Sequence, residues 1–262
     1  MKRILIVLAS IAALILPTLA FAPAASAATG VVSNGIAWTP HASQPPNAAP
    51  DKPNGDYCTL AVVGTDNSGN KVAISAAHCA SILPDTVNNL PGSWVPDGSP
   101  VYRWTPNNGP RQQIGHISYR SWNGTGYPVQ PEDRNVPTAF GTDYLVIKLN
   151  DDAILQSNGP GVRIDGVGVA NPPNFSVLCK DGQSTGITCG AIWGQNATRM
   201  SNLAVGWNGD SGGPAWIDTN PGKIVGYNRG AGEYVKFSAV LNEINSPGSP
   251  YPVGKGFVPT NN

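Results

Sequence analysis

The sequence predicts a loop-rich, all-β globular protein of sandwich or barrel architecture. Three observations carry this. Turn-forming residues are abundant (31 Gly and 25 Pro in 262 residues), charged residues are only 12%, and short apolar runs alternate with turn signals throughout. The low charge and high Gly and Pro exclude a coiled coil or helical bundle. The 40% hydrophobic content and seven Trp exclude a disordered chain. A formal net charge of +0 leaves no electrostatic footprint for nucleic acid or an anionic membrane surface.

At the N-terminus, Lys2-Arg3 precede the apolar run Ile4–Leu16, which Pro17 ends, and Ala25-Ser26-Ala27 supplies small residues for a cleavage site. Residues 1–27 therefore read as a secretory signal peptide rather than a membrane anchor, and the expected location is extracellular. Cleavage removes two basic residues and leaves a slightly acidic mature chain, expected to act as a monomer without membrane attachment. Residues 28–56 show no helical or alternating period. With Gln44-Pro45-Pro46-Asn47 and Asp51-Lys52-Pro53-Asn54-Gly55 at their heart, they read as an extended arm, or a short pro-segment.

From Tyr57 onward the strands begin. Cys58–Val63, the turn Asp66-Asn67-Ser68-Gly69-Asn70 and Lys71–Ser75 form a hairpin pattern, and Tyr144–Leu149 is a strongly β-prone run. Later runs are Val162–Ile164, Val177–Lys180, Ala191–Trp193, Pro214–Ile217, Ile224–Tyr227 and Tyr234–Phe237. Residues 84–142 hold many Pro and Gly with weak strand signals. Only Ala239–Ile244 reads as a helix, which Pro247 stops. No short repeat exists, and the strands divide into two similar halves near residues 150–160.

Export makes the four cysteines readable as two disulfides. Three connectivities are possible; the sequence-local pairing, Cys58–Cys79 and Cys179–Cys189, closes two modest loops worth about 2–4 kcal/mol each. Zinc is disfavoured, because there is no CxxC pair and the histidines lack ligand spacing.

The three histidines are His41, His78 and His116. His78 sits in Ser75-Ala76-Ala77-His78-Cys79, after a β-run. Gly209-Asp210-Ser211-Gly212-Gly213-Pro214 is the stronger signal. A glycine-flanked Ser in a tight turn exposes its hydroxyl and lets backbone N–H groups converge on one point. Asp143 heads the apolar strand Tyr144–Leu149, giving the chain order His, Asp, Ser. That order differs from the α/β-hydrolases and from subtilisin-type enzymes.

Over about residues 57–246 the chain resembles the chymotrypsin-like serine proteases, and more closely their secreted bacterial members of the streptogrisin and α-lytic groups. Ser75–Cys79 resembles the family's histidine motif, with Cys58 as its bridging partner. Gly141-Thr142-Asp143-Tyr144-Leu145-Val146 resembles the aspartate motif and Gly209–Pro214 the nucleophile motif. Cys179 to Cys189 is similar to a disulfide loop of the bacterial members. The resemblance implies two six-stranded antiparallel β-barrels, spanning 57–155 and 156–246, with a short C-terminal helix and a tail at 247–262. It implies a triad of His78, Asp143 and Ser211, an oxyanion hole from the N–H groups of Gly209 and Ser211, peptide or protein substrates, and no metal or organic cofactor.

The resemblance also places the substrate side chain against Val205, Gly206 and Asn208 and the substrate backbone along Arg229-Gly230-Ala231. Val205 stands six positions before Ser211, where a basic-specific enzyme carries Asp, so the expectation is a neutral side chain. Arg229 occupies a position where most relatives have a Ser that hydrogen-bonds the catalytic Asp, which leaves the support of Asp143 open. Arg229 could attract acidic substrate residues and Glu233 basic ones, or both could be solvated rim charges. Asp210 needs a cationic partner, either a freed N-terminus or an internal Arg. Two alternatives are a secreted pseudoprotease that binds peptides without cutting them, and an esterase with the same triad.

Overall fold

The computed structural model describes residues 28–43, 57–82, 93–106, 109–121 and 142–262. Residues 1–27 (expected to form a signal peptide), the Pro-rich heart of the arm and Gly141 lie outside them. Nineteen strands are present among the described residues. The first half holds β1 (Val31–Ser33), β2 (Ala37–Thr39), β3 (Cys58–Thr59), β4 (Val62–Thr65) and β5 (Lys71–Ala76). A short 3-10 turn (Ala77–Ala80) follows, then β6 (Ser81–Ile82), β7 (Ser93–Trp94), β8 (Pro100–Arg103), β9 (Gln113–Arg120), β10 (Tyr144–Leu149) and β11 (Ile154–Gln156). The second half holds β12 (Gly166–Val167), β13 (Val177–Lys180), β14 (Thr188–Gln195), β15 (Arg199–Asn202), β16 (Pro214–Ile217), β17 (Lys223–Gly230) and β18 (Glu233–Lys236), then helix α1 (Phe237–Ile244) and β19 (Val258–Pro259).

The first sheet runs β19-β4-β5-β10-β9-β8-β2-β3. The second runs β12-β17-β16-β13-β14-β15-β18, and an additional β17–β18 pairing closes its last six strands into a barrel. Closure leaves no exposed edge among those six, which is how such sheets avoid edge-to-edge association. The protein is all-β with a short C-terminal helix; one half closes as a six-stranded barrel and the other is a curled eight-stranded sheet, which fits the chymotrypsin-like architecture that the resemblance implies.

Strand β10 shows how the cores are partitioned. It lies between β5 and β9, and all its residues except Lys148 are buried, as expected for an uninterrupted apolar run. Successive side chains of a strand point to opposite faces. Accordingly Leu145, Ile147 and Leu149 pack inside the first half with Trp38, Val63, Ala73 and Ile114. Tyr144 and Val146 pack between the halves with Ile224, Tyr227, Val235 and Phe237. A third core, including Leu178, Ile192, Met200 and Tyr234, fills the second barrel.

Several expectations change. The segment 28–43 is laid over the first half as strands: β1 pairs in parallel with β11, and β2 pairs with both β3 and β8. Trp38, fully buried, donates from its indole N–H to Ser75 Oγ at 2.9 Å, so one aromatic anchors a stretch with no readable period. The run Val162–Ile164 forms only an isolated bridge, Asn158 with Arg163. The helix begins two residues early, at Phe237, whose ring is buried. The tail folds back, with β19 pairing β4 and Asn262 Nδ2 donating to Leu155 O at 2.8 Å. Both disulfides are present with the sequence-local pairing, Cys58–Cys79 and Cys179–Cys189.

Candidate active site

His78 and Asp143 meet because β5 and β10 are antiparallel neighbours, with Ala76 opposite Tyr144. The end of β5 therefore lies beside the start of β10. The 3-10 turn then presents His78, whose Nδ1 lies 2.9 Å from Asp143 Oδ2 while its backbone N–H donates to Asp143 Oδ1 at 2.9 Å. Asp143 is fully buried and sits at φ 61°, a left-handed conformation that costs a non-glycine residue about 1 kcal/mol or more. Its carbonyl is held by the Tyr227 hydroxyl at 2.8 Å and by Ala77 N–H at 3.2 Å. Burial alone would raise the Asp143 pKa. The facing His78, the hydrogen bonds from it and the Arg229 cation outweigh burial and hold the carboxyl below its usual value.

The Ser211 loop crosses between the halves. Thr59 of β3 donates its N–H to Ser211 O at 2.8 Å and its hydroxyl to Gly209 O at 2.8 Å. Cys79 Sγ lies 4.0 Å from Ser211 O, which sets the turn bearing His78 against the same loop. Gly209 has φ 98° and Gly212 φ 84°. A Cβ at Gly212 would come within 2.2 Å of Thr59 O, so the loop can approach β3 only as glycine.

The N–H groups of this loop can be accounted for one by one. Asp210 N–H donates to Trp207 O at 3.0 Å, Gly212 to Asn228 O at 2.7 Å and Gly213 to Asp210 O at 2.8 Å. Among the described residues, the N–H groups of Gly209 and Ser211 donate to no protein acceptor. They are the two groups expected to form an oxyanion hole.

Asp210 has a cationic partner of neither expected kind. Lys180, the last residue of β13, places Nζ 3.0 Å from Asp210 Oδ2, and both side chains are fully buried. Lys180 lies opposite Ala215 in the β13–β16 register, which aims it at the segment just before β16. Its ammonium also donates to Gly186 O at 2.9 Å and to Thr185 Oγ1. Asp210 further accepts from Thr185 Oγ1 at 2.7 Å and from the N–H groups of Ser184 and Trp207 at 2.8 and 2.9 Å. Burial would raise its pKa; Thr185, Trp207 N–H and Lys180 together lower it. The available sequence signal was a lysine ending a strand otherwise made for burial.

The expected substrate-contact residues divide. Val205 is 63% exposed, Asn208 and Ala231 are exposed, and Gly206 and Gly230 are half-buried. A Cβ at Gly206 would lie 2.8 Å from Asn228 Nδ2, so the fully buried Asn228 amide stands directly beneath this segment. Arg229 departs from expectation. Its Nε lies 3.1 Å from Asp143 Oδ2, with the side chain only 12% exposed, and it also pairs with Glu233. The guanidinium turns inward to the carboxylate, and Glu233 pairs with it from a partly exposed position.

Among the described residues, Cys58, His78 and Cys79 are the one cluster spaced for a metal, but its sulfurs form the Cys58–Cys79 disulfide and offer no thiolate. His41 follows β2, and His116 lies on β9.

The fold is that of the bacterial chymotrypsin-like serine proteases, which supply the neighbours among solved structures. Thermobifida fusca protease A matches with a TM-score of 0.53 and 16% identity, covering 88% of this chain and all of that one. A Nocardiopsis protease matches at 0.50 and 18% identity, over 81% of this chain and 95% of that one. A serine protease specific for glutamic acid, described as using a histidine triad in substrate binding, matches at 0.50 and 17% identity, over 81% and 96%. No protein-family model and no curated relative matches the chain. At these identities the likeness is one of fold.

Proposed function

We propose that this protein is a secreted serine endopeptidase that cleaves peptide bonds through an acyl-enzyme. The observation that carries this reading is the juxtaposition of the His78–Asp143 pair with a Ser211 loop whose Gly209 and Ser211 N–H groups have no acceptor among the described residues. A serine hydroxyl is a weak nucleophile at neutral pH and needs an adjacent base. In this reading His78 takes the Ser211 proton as the hydroxyl attacks the scissile carbonyl, then gives it to the leaving amine. Asp143 holds the imidazole by Nδ1 and stabilises the imidazolium. The two N–H groups receive the developing oxyanion, where losing one such donor costs related enzymes about 3 kcal/mol.

Substrate would add as a strand along Gly230-Ala231, with its side chain directed at Val205 and Gly206. A neutral side chain fits this site best. Val205 brings no charge, the Asn228 amide beneath Gly206 is neutral, and all three histidines belong to the first half. Export is supported by the leader-like 1–27 and by two disulfides.

The test is labelling with a serine-directed fluorophosphonate, alongside casein zymography. Wild type should be labelled and clear casein, and Ser211→Ala should do neither. Labelling unchanged in Ser211→Ala would move the nucleophile elsewhere. A folded but unlabelled, inactive wild type would make the protein a binding module, and turnover of esters without amides an esterase.

A further inference from the structure

The ion pair between Arg229 and Asp143 has no part in the triad chemistry above, yet it touches the triad's own carboxylate. Asp143 Oδ2 is approached from two sides, by His78 Nδ1 at 2.9 Å and by Arg229 Nε at 3.1 Å. The Nε–H does not aim at the oxygen with hydrogen-bond geometry, so the contact acts through charge. Behind Arg229 the charges alternate. Arg229 Nη1 pairs with Glu233 Oε2, Glu233 Oε1 lies 3.5 Å from Arg199 Nε, and Arg199 Nη1 donates to Thr142 O at 2.9 Å. The ladder begins at His78 and returns to the residue next to Asp143.

We infer that Arg229 is a positioning residue that sets the basicity of His78 by sharing the Asp143 carboxylate. The inference rests on the endopeptidase reading. An imidazolium at His78 is stabilised by the Asp143 anion and opposed by the cation on the other side of the same oxygen. Because the site is largely buried, this opposition is weakly screened. Glu233 offsets part of the Arg229 charge, so the net effect on His78 depends on both partners.

Among the described residues, the other charged and titratable groups around this centre come from β15, β17, α1 and the disulfide. Tyr227 from β17 presents a phenol whose pKa burial raises, so it is neutral. Arg199 from β15 binds the Thr142 carbonyl, and Glu243 from α1 accepts from the Thr142 hydroxyl. Cys58 and Cys79 are in a disulfide and do not titrate. Arg229 is the cation that touches the carboxylate itself.

The experiment is the pH profile of kcat/KM for wild type, Arg229→Met and Glu233→Gln, with melting temperatures taken in parallel. Removing the cation should move the acid limb to higher pH by about one unit. Removing the counter-charge should move it to lower pH by a few tenths of a unit, because an anion that offsets Arg229 is then gone. A residue that only braces the fold would shift melting temperature and maximal rate while leaving both limbs in place. Superimposable acid limbs in all three proteins, or shifts of the same sign, overturn the inference. If Arg229→Met does not fold, the sign for Glu233→Gln decides alone, since Glu233 is partly exposed. Failure of the endopeptidase reading is distinguishable, because wild type itself would then leave amide substrates uncut, whether or not it labels or turns over esters.

Discussion

Lys180 Nζ lies 3.0 Å from Asp210 Oδ2, with both side chains fully buried, one residue from the Ser211 hydroxyl in sequence. The pair joins the end of β13 to the loop of the candidate oxyanion site. Its three ammonium protons face a carboxylate, a hydroxyl and a carbonyl, so the charge is buried with its hydrogen bonds made. The oxyanion loop is therefore anchored from within the chain.

Lys180→Met should leave Asp210 as an uncompensated buried charge and destabilise the protein by about 3–5 kcal/mol. The double variant Lys180→Met/Asp210→Asn should regain much of that stability while fluorophosphonate labelling of Ser211 stays low. Thermal melts and labelling rates report the two effects. A single variant that melts with wild type would show that the pair carries no weight.

Gly209→Ala should lower kcat/KM by about a hundredfold to a thousandfold, the scale of losing an oxyanion donor. The substitution combines φ 98° with a Cβ within 2.4 Å of Ser184 Oγ and 2.6 Å of the Tyr57 ring. The barrel cores are remote from this clash, so circular dichroism should remain that of wild type. Unimpaired turnover in a folded Gly209→Ala protein would remove Gly209 from the oxyanion site.

Asp143 and Asp210 both have carboxyl pKa values lowered by folding. Such groups bind protons more weakly folded than unfolded. Their stabilisation is complete above the unfolded value of about 4 and fades as pH falls through the lowered folded values. Urea midpoints should thus hold through mildly acidic pH and decline below about pH 4. A decline beginning near pH 6 would contradict this.

Asp181 has the opposite sign. Burial raises its pKa, and Oδ2 is buried without a hydrogen-bond partner. The folded state binds this proton more tightly, so the contribution is favourable below the unfolded value and is lost as pH rises through the raised one. Asp181→Asn should raise the melting temperature at pH 7 by a few degrees and change it little at pH 3. Equal effects at both pH values would assign the change to packing instead.

A peptide-library profile of the mature protein should favour neutral residues before the cut bond. Val205→Asp should introduce cleavage after Lys and Arg, because a carboxylate there would face the substrate side chain. A wild-type profile dominated by Lys and Arg would overturn the neutral assignment.

Much of the architecture is readable along the chain, and the reason is local. Strands β13 and β16 coincide with the apolar runs Val177–Lys180 and Pro214–Ile217, because Leu178–Lys180 and all of Pro214–Ile217 are buried and both runs are flanked by turn residues. The hairpin at 66–70 is equally legible, since Asp66 Oδ1 accepts from the N–H groups of Ser68 and Asn70 at 2.9 Å each. Strands β1 and β2 escaped because they are three residues each and exist through pairing with distant partners.

The chemistry divides in the same way. His78, Asp143 and Ser211 are recognisable in one dimension because a strand end, a strand head and a glycine turn each leave a short sequence signature. That His78 and Asp143 come within 2.9 Å depends on β5 pairing with β10, a non-local register. The partners of Lys180 and Arg229 are not legible along the chain. A charged residue on a strand reads as solvated until packing supplies its partner, and both partners, Asp210 and Asp143, lie at least thirty residues away in sequence. Short-range chemistry made the candidate triad legible, whereas the electrostatics that surround it arise only when the two halves close on each other.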